Sequence, residues 1–140
     1  MPTPAAENVL YRLRAAYAAW HGLRGQDIET WIDLCAEDIA FGSLLRGHPG
    51  VEFTAPQRGK DGVRKYLSGL LADWEMLHFH TDKFIAAGDR VVMLGECAFR
   101  HRRTGKRVVT PKADVWRFRG GKAVEFFEFY DSAAVLEATA

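Results

Sequence analysis

The chain has 140 residues, 48% of them apolar, with a formal net charge of +1. That length suits one domain (1–140) with a real core, and the composition excludes a disordered chain. The near-neutral charge gives no general pull toward nucleic acid or a membrane surface, and no apolar run approaches the roughly 18 residues of a membrane span.

Residues 5–22 read as a helix, because Val9, Leu13, Ala16, Tyr17 and Trp20 share one face at helical spacing. Gly22 and Gly25 end it. Asp27 is placed to cap a second helix to about Ala36, burying Ile28, Trp31, Ile32 and Cys35. A short strand is expected over 39–42. Residues 43–60 contain Gly47, Pro49, Gly50, Pro56 and Gly59 and no apolar period, so they read as a mobile loop with at most a brief strand. Loops of this length often act as lids or binding loops. From Asp61 to Trp74, the stripe Val63, Tyr66, Leu67, Leu70, Leu71 and Trp74 predicts a third helix. The period then becomes two. Four strands are expected at about 76–86, 90–101, 106–118 and 122–131, with a short terminal helix over 132–138. Helices first and a meander of long strands second define an α+β fold, a curved sheet with helices on one face.

The last two strands flank Gly120-Gly121, a hairpin signal. A three-residue loop over Arg119 to Gly121 pairs Trp116 with Val124 and Asp114 with Phe126, and it segregates the faces better than a two-residue loop. One face then carries Trp116, Phe118, Val124, Phe126 and Tyr130, interrupted by two acids, Asp114 and Glu128. Acids among aromatics are the misfit that marks a site. The opposite face carries Val115, Ala123, Phe127 and Phe129. An apolar patch of this kind on a sheet's outer face predicts a homodimer.

Three segments together carry a family resemblance. They are Trp31 to Phe41, the helix opened by Arg58 to Val63, and the hairpin from Thr110 to Asp131. In that order they resemble the SnoaL-like branch of the nuclear transport factor 2-like superfamily, which also holds ketosteroid isomerases and polyketide cyclases. The resemblance implies a cone in which three N-terminal helices close a curved antiparallel or mixed sheet over a deep apolar pocket. It also implies pairing through the outer sheet face. It places Asp114 where ketosteroid isomerases carry the acid of their oxyanion hole, and Tyr17 where they place a pocket tyrosine. Ser43 stands where those enzymes carry their general base. Glu128 corresponds to an acid–base Asp of the cyclases, lengthened by one methylene.

The candidate catalytic residues are therefore Glu128, Asp114 and Tyr17. A carboxyl in an apolar pocket resists ionisation and can reach neutrality, which suits proton transfer beside a carbonyl. A second reading of Glu128 stays open, because Lys112 falls opposite it in the expected register and can form a salt bridge at the rim. Trp20, Phe41, Phe53, Trp116, Phe126 and Tyr130 are candidate walls for a small apolar organic ligand, while Trp31 and Trp74 read as core. His78, His80 and Asp82 alternate on one strand face, but Leu77, Phe79 and Ile85 form the natural core set, so the histidines point outward and no metal is expected. The basic tip, Arg100 to Arg103 with Lys106 and Arg107, reads as a solvated turn. No phosphate loop or nucleophile elbow is present, and no cofactor is expected. Cys35 and Cys97 lack metal or redox spacing, so they read as buried, reduced thiols of a cytoplasmic protein. Two functions from different classes result. One is a cofactor-free acid–base enzyme (isomerase, cyclase or dehydratase), and the other is a non-catalytic binding or dimerising module.

Overall fold

A computed structural model describes residues 4–140. The elements in chain order are α1 (Pro4–Gly22), α2 (Glu29–Leu34), β1 (Cys35–Ser43), β2 (Gln57–Arg58), α3 (Gly59–Asp73), β3 (Trp74–Ala87), β4 (Arg90–His101), β5 (Arg107–Arg119), β6 (Lys122–Tyr130) and α4 (Ser132–Thr139). The strands form one open sheet in the order β2-β1-β6-β5-β4-β3. β1 runs parallel to β6, and every other neighbouring pair is antiparallel. This is the α+β cone expected from the sequence, with a mixed sheet.

Bulges bend the sheet. β3 shifts register against β4 between Met76 and His78 and again between Thr81 and Lys83. At the second bend the strands approach so closely that a Cβ on Gly95 would lie 2.2 Å from the His80 carbonyl oxygen. Only glycine fits there. The concave face receives α1 through Leu13, Ala16, Tyr17 and Trp20, and α3 through Val63, Tyr66 and Leu67, all buried. The helical stripes in the sequence are thus the inner faces of these helices.

Two helix ends differ from expectation. α2 stops at Leu34 rather than Ala36, because Cys35 is already extended (φ −83°, ψ 142°) and pairs with Ala123. Asp27 still ties down its start, accepting the Glu29 N–H at 3.0 Å and the Thr30 hydroxyl at 2.8 Å. Trp74 likewise leaves α3 and opens β3 opposite His101. In both places sheet pairing replaces the last helical turn.

The hairpin register is corrected. Gly120 and Gly121 both adopt positive φ (60° and 80°) and form a two-residue turn with Arg119 opposite Lys122. Two left-handed positions are what such a turn needs, and two glycines supply them at little strain. A bulge then inserts Val124, so Trp116 faces Phe126, Asp114 faces Glu128 and Lys112 faces Tyr130. The expected pairing was two residues out of step. A slip of two keeps side chains on the same faces, so the inward set survives. Ala123, expected on the outer face, is buried instead.

Two other segments are better anchored than their composition suggests. The loop after β1 buries Val51 and Thr54, and Phe53 lies edge-on to Tyr66 at 5.4 Å. The basic tip between β4 and β5 is solvated as expected, with Arg102, Arg103, Lys106 and Arg107 exposed, and it is also tethered. Arg102 donates to the Leu71 carbonyl at 3.1 Å, Thr104 to that of Ala138 at 2.6 Å and Lys106 to that of Ala140 at 2.8 Å. Cations and donors at carbonyl-rich helix ends satisfy groups that the helix leaves open.

Candidate active site

Between the helices and the concave face lies a cavity of about 100 Å³. All six predicted wall residues, Trp20, Phe41, Phe53, Trp116, Phe126 and Tyr130, line it. So do Trp31 and Trp74, which the sequence suggested were plain core. The walls stack on one another: Phe41 and Phe126 lie 4.3 Å apart, and Trp31 and Trp116 lie 5.5 Å apart. Such contacts hold the rings as a rigid lining.

The polar groups form a single chain of hydrogen bonds. The Trp116 indole N–H donates to the Tyr17 hydroxyl at 2.9 Å, and that hydroxyl donates to Asp114 Oδ2 at 2.6 Å. Lys112 donates to Asp114 Oδ1 and, at 2.7 Å, to Glu128 Oε2. The Tyr66 hydroxyl donates to Glu128 Oε1. Beside them Ser43 and Tyr130 share a hydrogen bond of 2.5 Å. The three proposed catalytic residues are thus brought together, but Tyr17 serves Asp114, whereas Glu128 takes its tyrosine from α3. Glu128 is paired with Lys112 by a diagonal reach across the sheet rather than by facing it.

Burial makes this cluster unusual. The side chains of Lys112, Asp114 and Glu128 are 8%, 2% and 15% exposed. Burial alone pulls the Lys112 ammonium down, but Asp114, Glu128 and Cys97 together outweigh it and raise its pKa. Burial pushes the Asp114 carboxyl up, and Glu128 adds to the effect, while Lys112 opposes it; the outcome is a raised pKa. Tyr17 and Tyr66 are raised well above 10.0, by burial first and then by the carboxylates they face. Burial also pushes the Cys97 thiol to about 12, so it is no nucleophile. Fully ionised, two carboxylates against one ammonium leave a net charge of −1 under aromatic walls. A proton held on the cluster removes it.

Tyr66 was read as core from its place in the α3 stripe, and its role at the site was missed. The sequence places Lys112 only at the rim. Its signal was the i, i+2 spacing with Asp114, which puts both on the inner face of β5. His78 and His80 lie on the edge strand, with His78 bonded to Glu96 at 3.0 Å. Among the described residues no cluster of His, Cys, Asp or Glu converges as a metal site. No described helix is long and apolar enough to cross a membrane.

Residues 13–126 match the SnoaL-like domain, and the chain belongs to that family. Among solved structures, an NTF2-like protein of unknown function from Burkholderia pseudomallei is 25% identical; the match covers 95% of this chain and 98% of that one, with a TM-score of 0.84. An NTF2-like protein from Burkholderia thailandensis is 28% identical over 100% and 99% of the two chains, with a TM-score of 0.78. A protein of ketosteroid isomerase-like fold from Catenulispora acidiphila, in complex with trimethylamine, is 20% identical over 91% of each chain, with a TM-score of 0.72. No curated protein sequence matches.

The charge count predicts an asymmetry between variants. Lys112→Met leaves two buried carboxylates without a counterion and is expected to destabilise the fold by about 3–5 kcal/mol. Glu128→Gln leaves the balanced Lys112–Asp114 pair and is expected to cost no more than about 1 kcal/mol. Urea melts of both variants check this; equal losses would contradict it.

Proposed function

We propose that this chain binds a compact, largely apolar carbonyl compound and moves a proton beside its carbonyl, without a cofactor. The reaction class is isomerisation, cyclisation or dehydration. One observation carries the reading: Lys112 is bracketed by Asp114 and Glu128 inside an aromatic cavity. An ammonium has three N–H donors, and two of these are given to the carboxylates. The third is free to donate to a ligand's carbonyl oxygen and to stabilise the negative charge that develops there. Glu128 is the more open of the two acids. It takes the proton from the carbon next to the carbonyl and returns it to another carbon in an isomerisation, to the new alkoxide oxygen in a cyclisation, or to the departing hydroxyl, which leaves as water, in a dehydration, so the enzyme ends unchanged. General acid–base help of this kind contributes roughly 10²–10⁴ in rate. Family membership and the trimethylamine held by the Catenulispora protein support a small-molecule role for the cavity.

A second reading is a non-catalytic binding module. It is favoured by the fact that both Glu128 oxygens already accept hydrogen bonds, from Tyr66 and Lys112. Deuterium incorporation into compact cyclic ketones such as cyclohexenone and tetralone, followed by NMR in heavy water, separates the two. The enzyme reading expects faster exchange with the wild type and a loss of about 10²-fold or more in Glu128→Gln. Ketones that bind without any acceleration of exchange would leave only the binding module.

We also propose that the chain pairs with a second copy through the outer sheet face. Phe129 is 42% and Val109 59% exposed there, and Phe127 lies 5.0 Å from Phe129. Light scattering is expected to give the mass of a dimer at micromolar concentration and of a monomer for Phe129→Glu. A monomeric wild type would refute the pairing.

A further inference from the structure

We propose that the cavity selects a small organic cation, an apolar body carrying an amine, over neutral and anionic molecules of the same shape. The inference rests on the cavity being a ligand site, and it narrows the substrate class of the proton transfer above to ketones bearing a basic nitrogen.

Lys112 is the one cation in the hydrogen-bonded chain, and it serves two acids that are buried with it. The other titratable groups facing the cluster are Tyr17 from α1, Tyr66 from α3, Cys97 from β4 and Tyr130 from β6. Burial raises all four above their ordinary values, so they stay neutral to at least pH 8 and leave the count unchanged. One positive charge is therefore wanting, and either a proton or a bound cation can supply it. An anion would double the uncompensated charge in a place that water barely reaches.

The walls favour a cation as well. The Lys112 ammonium lies 5.5 Å from the Phe79 ring centroid and 5.8 Å from that of Phe126, so these faces already act on a positive charge. Phe41 extends that surface, stacked on Phe126 and 4.8 Å from Tyr66. Glu128 lines the same cavity. An ionised carboxylate offers about four acceptor positions, and Tyr66 and Lys112 occupy two of them. An ammonium in the cavity thus meets a carboxylate with free lone pairs and aromatic faces at once.

Binding of a cation competes with the cluster's own proton, which gives the proposal a signature in pH. Titration calorimetry with benzylammonium, benzyl alcohol and benzoate, at pH 5 and pH 8, tests it on the wild type. The expected result at pH 8 is benzylammonium roughly tenfold or more tighter than benzyl alcohol, with benzoate weakest. The advantage of the amine should shrink at pH 5, because the raised Asp114 carboxyl takes up its proton earlier on acidification than an ordinary one, and should fall to within about threefold in Asp114→Asn, which removes the spare charge. Benzyl alcohol binding as tightly as the amine, or an amine preference unchanged by both pH and Asp114→Asn, would overturn the proposal while leaving the cavity a ligand site. Binding of none of the three would overturn the ligand-site reading and the proposal with it.

Discussion

The site is organised by two buried carboxylates sharing one ammonium. Removing three charged groups from water is unfavourable by several kcal/mol for each ion, and their mutual attraction offsets this only with good geometry and satisfied lone pairs. The structure meets that condition. Every oxygen of Asp114 and Glu128 accepts a hydrogen bond, from Tyr17, Lys112 or Tyr66. The residual imbalance of one charge remains, and it makes the cluster responsive to protons and to whatever enters the cavity.

The fold brings these groups together. A Gly-Gly turn and one inserted residue set the register that puts Asp114 beside Glu128 on the inner face of neighbouring strands. The two tyrosines arrive from different helices, Tyr17 from α1 and Tyr66 from α3, each fixed in the aromatic packing. Sheet curvature, produced by the bulges in β3 and the close approach at Gly95, turns a flat sheet into the wall of a cavity.

Much of this was legible in the chain. Helical stripes marked the inner faces of α1 and α3, and alternation marked the strands, because burial imposes a period of about 3.6 or 2 on the side chains. The misplaced acids Asp114 and Glu128 marked the buried cluster for the same reason: polar residues on an apolar face need a partner. What stayed hidden depends on long-range geometry. The bulge at Val124 leaves no mark in composition, so the hairpin register was misjudged. Tyr66 looked like any other core aromatic until its hydroxyl could be seen against Glu128. The docking of Arg102, Thr104 and Lys106 onto helix ends required knowing where α3 and α4 finish.

Burial and the neighbouring Glu128 raise the Asp114 carboxyl, so the Lys112 cluster releases its proton at higher pH than an isolated carboxylic acid does. Carbon-13 NMR of the Asp and Glu side-chain carboxyls, titrated from pH 3 to pH 9, tests it directly. A carboxyl whose folded pKa is raised binds its proton more tightly in the native state. Its stabilising contribution is therefore full at low pH and is lost as the pH rises through that folded value. The Asp114 resonance is expected to titrate above the usual carboxylate range of about 3.9–4.3 and to move back toward it in Glu128→Gln. Normal or depressed titration of both Asp114 and Glu128 would contradict it, leaving the cluster as a plain buried ion pair.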